Sequence, residues 1–160
     1  MKLHLGVIDQ PYAAPPTKKG KRPKVAGGQT TGDVAGWLED RYHVMEVFYE
    51  LHKDDIAKDL EDGLRGTLES LLMGAPPAVN AFGSAESAID DRFRKFLDDR
   101  EIEGLGIPGV PTKAALWGVN HRLKNPHQTR RQFRGYRRRK SRPSFIDTGL
   151  YQSSEKTWVD

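Results

Sequence analysis

The segment Arg142-Pro-Ser-Phe-Ile-Asp-Thr-Gly-Leu-Tyr-Gln-Ser-Ser154 combines a proline, an apolar pair, an Asp-Thr-Gly turn and a polar run. In such a turn the carboxylate of Asp147 caps its own backbone, and Gly149 supplies the positive φ that other residues disfavour. The pattern predicts a strand–turn–strand over residues 144–160. The large apolar residues predicted to face the sheet or a subunit interface are Phe145, Ile146, Leu150, Tyr151 and Trp158.

Asp-Thr-Gly after two apolar residues also resembles the catalytic turn of retroviral-type aspartic proteases, in which two such aspartates meet across a dimer and share one proton. Those enzymes normally have Ala or Ser after the glycine, whereas this chain has Leu150. They also need β-structure downstream for a flap and a cleft, and eleven residues follow Gly149. We therefore expect Asp147 to cap a turn, and we predict no catalytic residue.

Charge is distributed very unevenly along the 160 residues. Residues 1–32 carry six Lys/Arg and one acid, residues 33–103 carry eight basic and eighteen acidic residues, and residues 104–146 carry eleven basic residues and no acid. Such segregation is typical of self-complementary assembly or of contact with a polyanion at the basic end. No apolar run approaches the ~18–20 residues that span a bilayer, so no membrane partner is predicted.

Metal-binding patterns are weak in this sequence. It has no cysteine, and its five histidines show no ligand spacing. Paired acids occur at Asp54-Asp55, Asp90-Asp91 and Asp98-Asp99, but adjacent residues on a helix point about 100° apart and do not converge on one ion. We expect these pairs to lie on solvated helix faces, and we predict neither a metal nor a cofactor.

The N-terminal part, residues 1–32, reads as a short strand at residues 2–8 followed by an arm rich in Pro, Gly and Lys. This composition does not form a core, so we expect residues 9–32 to stay extended or disordered until they meet a partner. The basic residues of the arm are Lys18, Lys19, Lys21, Arg22 and Lys24.

Residues 33–123 read as a helical body, because apolar residues recur at helical spacing. A first set, Val34 to Tyr49, follows N-cap oxygens at residues 30–33. A second set is predicted to be capped by Asp54 or Asp55 and to end at Gly74; its members are Ile56, Leu60, Leu64, Leu68, Leu71 and Leu72. The two sets predict either two helices or one long kinked helix.

The third predicted helix begins at Ser84 and ends before Gly104, with one apolar face made of Ile89, Phe93, Phe96 and Leu97. A short fourth helix follows the predicted cap Thr112. The predicted fold class is therefore α+β: a helix-rich body of three to four helices, a small C-terminal antiparallel sheet and an extended N-terminal arm.

Residues 124–143 form a predicted basic loop between the helical body and the C-terminal segment. Residues 122–142 hold ten Lys/Arg, with Phe133 and Tyr136 interleaved. This loop suits either a polyanion such as DNA or the acidic surface of a neighbouring subunit. The residues predicted to make this contact are Arg130, Arg131, Arg134, Arg137, Arg138, Arg139, Lys140 and Arg142.

The C-terminal segment resembles the closing segment of structural proteins from tailed-bacteriophage head–tail modules, in the neck and tail-completion group. Their pattern is Asp-Thr-Gly-x-Leu-x-x-Ser, which Asp147, Thr148, Gly149 and Ser153 or Ser154 match, with Leu150 one place early. The run from Gly104 to Leu123 is similar to virion proteins of phages and prophages.

This resemblance implies an α+β subunit without a catalytic site, present in several copies, typically six, as a ring between the head connector and the tail. The implied partners are further copies of the chain and the neighbouring connector and tail proteins, with DNA in the channel as another candidate. The implied location is the virion, after assembly in the host cytoplasm. The alternatives are a tail terminator or head-closure ring and, from another class, a small basic nucleic-acid-binding protein.

Overall fold

The computed structural model describes residues 2–12, 29–117, 141–146 and 149–160. Within these ranges the elements are β1 (Leu3–Val7), α1 (Thr31–Tyr42), α2 (Val44–Leu72), α3 (Gly83–Asp98), a 3₁₀ turn (Glu101–Leu105), α4 (Lys113–Trp117), α5 (Leu150–Ser154) and β2 (Glu155–Val159). The predicted helix-rich α+β class is confirmed. None of the described helices is long and apolar enough to cross a membrane.

The sheet pairs the first strand of the chain with the last. β1 and β2 are antiparallel, with Leu3 opposite Val159 and Val7 opposite Glu155. The strand predicted at residues 2–8 is therefore confirmed. Its partner lies about 150 residues away in sequence, so this pairing depends on the packing of the whole body between the two strands.

The strand–turn–strand predicted for residues 144–160 is wrong. Phe145 lies in a turn, Leu150 and Tyr151 lie in α5, and only residues 155–159 form a strand. The physical reason is burial: α5 turns Tyr151 into the core against Phe93 of α3, with ring centroids 6.2 Å apart. A hairpin confined to this segment has no second layer to cover its apolar face.

Helix α1 begins with a reciprocal cap, in agreement with the sequence. The Thr30 hydroxyl accepts a hydrogen bond from the Asp33 amide at 3.2 Å, and the Asp33 carboxylate accepts one from the Thr30 amide at 3.0 Å. The helix ends where His43 adopts a left-handed φ of 51°. A cap of this kind satisfies two amides that the first helical turn leaves without partners.

The predicted helix start at Asp54 or Asp55 is wrong, because α2 runs unbroken through both residues. The chain breaks at His43 instead, and both aspartates are exposed. Neither carboxylate caps a helix: Asp54 lies on the exposed face, and Asp55 accepts a hydrogen bond from the Arg92 guanidinium of α3 at 3.2 Å. Phe48 and Ile56 anchor α2 to the core on either side. The predicted cap at Ser84 is also displaced, since α3 begins at Gly83 with Phe82 as its N-cap.

The core lies mainly between α2 and α3. Phe48 meets Phe93 edge-to-face at 5.1 Å and Phe96 at 5.5 Å. Farther along α2, a Cβ built on Gly63 lies only 3.0 Å from the Cβ of Ala85. The glycine therefore lets the first turn of α3 approach closely, which aligns the two helices.

The two described ends of the predicted arm are attached to the body. The Thr31 amide donates to the Gln10 carbonyl at 2.9 Å, and the Tyr12 amide donates to the Gln29 carbonyl at 3.0 Å. The buried Thr31 hydroxyl also donates to the Ile8 carbonyl at 2.7 Å. The two described ends of the arm are therefore extended, but they pair with each other and with the body, and Thr31 and Gly32 already belong to α1.

Candidate functional site

Most residues predicted to contact a polyanion or a partner lie outside the described residues. These are Arg130, Arg131, Arg134, Arg137, Arg138, Arg139 and Lys140 of the basic loop, Asp147 of the turn, and Lys18, Lys19, Lys21, Arg22 and Lys24 of the arm. The described members are Arg142 and the interface and turn residues Phe145, Ile146, Gly149, Leu150, Tyr151 and Trp158.

Residues 141–146 dock on the 3₁₀ turn and on the start of α4. One oxygen of Glu103 accepts hydrogen bonds from both the amide and the hydroxyl of Ser144, each at 2.8 Å. The Ser144 hydroxyl in turn accepts from the Thr112 amide at 3.2 Å. The Arg100 guanidinium donates to the Ser141 carbonyl at 2.8 Å. Because Ser144 is buried, these bonds fix the start of the C-terminal segment.

Arg142 is the one predicted polyanion-contact residue that falls within the described residues. Its amide donates to the Ala115 carbonyl at 3.1 Å, and its guanidinium donates to the Ile146 carbonyl. Part of this side chain therefore shapes its own turn. The hydrogen bond from the Arg142 amide also brings the two described ends of the intervening basic segment together on the body.

Phe145 and Ile146 contact the protein's own core rather than a sheet. The Phe145 ring lies 5.0 Å from the Tyr42 ring, and both residues pack against the core cluster. Phe145 also has a φ of 67°, a conformation that a bulky residue adopts only where the surroundings hold it. The contact with Tyr42 supplies that support, so these two residues stabilise the subunit.

The turn that starts α5 follows the sequence prediction at Gly149. Its φ is 74°, in the region that favours glycine. Leu150 is half-buried and Tyr151 is buried, and the Gln152 amide group donates to the Arg94 carbonyl at 2.8 Å. These contacts seat α5 on the body.

Trp158 differs from the other described interface residues because 46% of its surface is exposed. Its ring stacks on His4 of β1, with centroids 5.2 Å apart and planes 6° apart. His4 in turn contacts Asp160 at 3.0 Å. Trp158 thus belongs to the sheet, as predicted, and leaves part of its ring on the outer face.

Two buried carboxylates that the sequence patterns did not predict lie where β2 packs on α3. Asp90 accepts from the Thr157 amide at 2.8 Å and from the Lys156 ammonium at 2.5 Å. Glu155 is fully buried, and its carboxylate accepts from the Thr157 hydroxyl at 3.3 Å. The expectation that Asp90 lies on a solvated face is wrong, because β2 covers it, whereas the adjacent Asp91 is exposed.

Burial, followed by the negative charge of Asp90, raises the pKa of Glu155 to about 8. At neutral pH Glu155 therefore holds its proton, and the single charge of Asp90 is balanced by Lys156. Burial likewise raises the pKa of the Tyr151 phenol, with Glu39 and Glu155 adding to the effect. Perturbed acids often mark catalytic sites, but both carboxylates here are shielded from solvent. Through Asp90 this arrangement holds the last strand in place.

Glu39, His43 and Glu46 bring one ligand atom each within 4.8 Å of one another. The geometry has a structural cause at the junction of α1 and α2. The two oxygens of Glu39 accept from the amides of Met45, at 2.8 Å, and Glu46, at 3.1 Å. Because His43 provides no side-chain cap, Glu39 caps α2 in its place.

The apolar residues of the second periodic set differ in how far the structure buries them. Ile56 is buried, whereas Leu64, Leu68, Leu71 and Leu72 are exposed. The reason is that the start of α3 covers α2 on the side of Gly63 and Thr67. We call the exposed row Leu64, Leu68 and Leu72, with Leu71 beside it, the leucine ridge. The sequence contains a signal for this exposure: on a helix of 3.6 residues per turn, these leucines point about a quarter-turn or more away from Gly63, which faces α3.

No protein-family model, curated protein or solved structure matches this chain. The described part of the fold presents three surfaces that could contact a partner. These are an acidic helical surface, the two ends of a basic segment and the leucine ridge.

Proposed function

We propose that this chain is a structural, non-enzymatic virion protein of a tailed phage, and that it forms part of the neck or tail-completion ring between the head connector and the tail. The observation that carries the proposal is an acidic outer surface on a chain whose other segments are strongly basic. Exposed acids on α2 and α3 are Glu46, Glu50, Asp54, Asp55, Glu61, Asp62, Glu69, Asp91 and Asp98.

A closed ring joins one surface of each subunit to a different surface of the next. Residues 104–146, with eleven basic residues and no acid, supply the charge that complements the acidic helices. Opposite charges across an interface favour the correct partner, whereas like charges within one surface disfavour others. The acidic helices of one copy therefore suit the basic segment of the next.

The fold also holds the two described ends of the basic segment close together on the body. The residues that flank the basic segment meet where the Arg142 amide donates a hydrogen bond to the Ala115 carbonyl. On the C-terminal side, the Glu103–Ser144 hydrogen bonds fix the chain to the body. Both described ends of the basic segment therefore lie at one place on the body.

The proposal is tested by the mass and shape of the purified protein and by its presence in phage particles. We expect rings in negative-stain images, a mass of several chains in native mass spectrometry, and the chain among the proteins of purified virions. A monomer that is absent from virions and binds DNA tightly overturns the proposal. Asp147→Asn is expected to leave assembly intact, whereas loss of a proteolytic activity in this variant supports the protease hypothesis.

The runner-up from another class is a small nucleic-acid-binding protein that acts through residues 122–142. The acidic surface separates the two functions. Substituting Asp54→Asn together with Asp62→Asn weakens a ring held by acid–base contacts, whereas it strengthens binding to DNA by removing repulsion. DNA affinity that falls steeply with salt, without any effect of salt on oligomeric mass, favours the runner-up. A tail terminator or head-closure ring is the alternative in the same class, and the position of the protein in imaged virions distinguishes it.

A further inference from the structure

The leucine ridge lies on the C-terminal half of α2, which extends beyond the core. Leu64 is 40% exposed, Leu68 is 51%, Leu71 is 49% and Leu72 is 86%. The neighbouring side of the helix packs on its own subunit, because Thr67 donates to the Ala81 carbonyl at 2.9 Å. This part of α2 therefore has two sides: the side of Thr67 packs on the subunit, and the side of the leucine ridge is left uncovered.

The size of the ridge exceeds what isolated surface leucines explain. The four leucines present on the order of 400 Å² of apolar surface per copy. Two such surfaces bury about 800 Å² in contact, which is the lower end of the sizes of interfaces between proteins. The ridge is thus large enough to hold one protein partner.

We infer that the leucine ridge binds the leucine ridge of a second copy of this chain, in an antiparallel helix pair centred on Leu68. Leu64 and Leu72 lie four residues on either side of Leu68. A two-fold axis at Leu68 places Leu64 against Leu72 of the partner subunit and Leu68 against Leu68 of the partner subunit. This spacing makes the ridge complementary to itself.

Helix packing supports the same geometry. Leu64, Leu68 and Leu72 form a row of the i±4 type, and two such rows interdigitate at a crossing angle of about −50°, the commonest class in globular proteins.

The charges around the ridge disfavour other occupants. Between residues 64 and 79 the only charged residues are Arg65 and Glu69. Arg65 is paired with Glu61 on its own helix at 2.8 Å, so it offers little to an anion. Nucleic acid or a strongly basic segment therefore has no matching charge here, whereas an apolar helix of the same length matches throughout.

This pairing goes beyond the proposed ring and does not depend on it. A two-fold contact joins two copies and closes, whereas a ring needs contacts that differ on the two sides of each subunit. The pair describes how two chains associate in solution, with or without a ring built from them.

The test compares two leucines of α2 that share residue type and exposure. Leu51 is 47% exposed but lies outside the ridge, so it is the matched control for Leu68. We expect Leu68→Glu to raise the dissociation constant of the pair about 100-fold in sedimentation equilibrium, because two carboxylates then meet in an apolar contact. Leu51→Glu is expected to leave it unchanged, with circular dichroism confirming that both variants fold.

A cysteine at the two-fold axis gives an independent measurement, since the chain contains no cysteine. Under mild oxidation Leu68→Cys is expected to form a disulfide-linked dimer, and Leu51→Cys is expected to stay a single chain. The inference is overturned if the wild-type protein is monomeric at ~100 μM, well above the ~μM constants of specific pairs. It is also overturned if Leu68→Glu leaves the oligomeric mass unchanged or if both cysteines cross-link equally. Rings that persist in Leu68→Glu while its pair dissociation constant is unchanged reject the pair and leave the proposed function standing.

Discussion

The Thr157 amide of β2 donates a 2.8 Å hydrogen bond to the buried carboxylate of Asp90 in α3. Lys156 bonds the other oxygen of the same carboxylate at 2.5 Å, and the Val159 amide donates to Glu86 at 3.1 Å. Through these bonds α3 orients β2, and β2 in turn holds β1. One helix face therefore determines where both strands of the sheet lie.

Asp90→Ala is expected to lower the free energy of unfolding by about 2–3 kcal/mol, because it leaves the Thr157 amide and the Lys156 ammonium without their acceptor. Urea denaturation followed by circular dichroism measures the change. The matched control is Asp91→Ala, which removes an exposed carboxylate paired with Arg94 and is expected to change stability by less than ~0.5 kcal/mol. Equal effects of the two substitutions contradict a structural role for Asp90.

Glu155 makes stability depend on pH. Its pKa is raised in the folded protein from 4.5 to about 8, so folding favours the protonated form. This contribution is fully present below pH 4.5 and is lost as the pH rises toward about 8. The groups that face Glu155 are Asp90 and Arg94 of α3, Lys156 of β2 and Tyr151 of α5.

Glu155→Gln keeps the neutral form at every pH and is expected to flatten this dependence. At pH 9 the variant should be more stable than the wild type by roughly 1–3 kcal/mol, and near pH 5 the two should be similar. Urea denaturation between pH 5 and pH 9 provides the measurement. Glu69→Gln, at an exposed position of α2, serves as the control. A variant that loses stability with rising pH as steeply as the wild type rejects this role of Glu155.

Two glycines of α2 should respond to the same substitution with opposite signs. A Cβ at Gly66 meets nothing within 4 Å, so Gly66→Ala is expected to stabilise the protein by ~0.5–1 kcal/mol through helix propensity. A Cβ at Gly63 lies 3.0 Å from the Ala85 Cβ and 3.1 Å from the Ser84 hydroxyl. Gly63→Ala is therefore expected to destabilise it by about 1 kcal/mol by pushing α3 away. Thermal unfolding distinguishes the two, and stabilisation by both argues against close packing at Gly63.

The Tyr151 hydroxyl is buried and has no hydrogen-bond partner among the described residues. Tyr151→Phe should therefore leave the free energy of unfolding unchanged or raise it by up to ~1 kcal/mol, because a phenyl ring removes a buried polar group at no loss of packing. Tyr151→Ala, which also removes the ring that contacts Phe93, should cost about 3–4 kcal/mol. Guanidinium denaturation measures both. A marked loss of stability in Tyr151→Phe reveals a hydrogen bond that the phenol makes elsewhere.

Much of the helical body followed from local patterns. The reciprocal cap of Thr30 and Asp33 starts α1, and the face of α3 built from Ile89, Phe93 and Phe96 is buried as its spacing predicts. Gly149 adopts the positive φ that its turn requires. The cap and the turn depend on neighbours within about four residues, and the apolar face of α3 depends on spacing within one helix, so the sequence alone was sufficient to predict them.

The tertiary structure decided which residues are covered. Asp90 and Asp91 are adjacent acids, yet β2 buries the first and leaves the second in solvent. Leu64 and Leu68 continue the spacing of Ile56, but α3 does not extend over them. The C-terminal strand pairs with β1 and not with a strand in its own segment.

The sequence determined the helices and turns because these form through short-range hydrogen bonds and caps. Only the fold determined the buried carboxylates and the exposed leucines, because burial depends on which distant element lies above each residue.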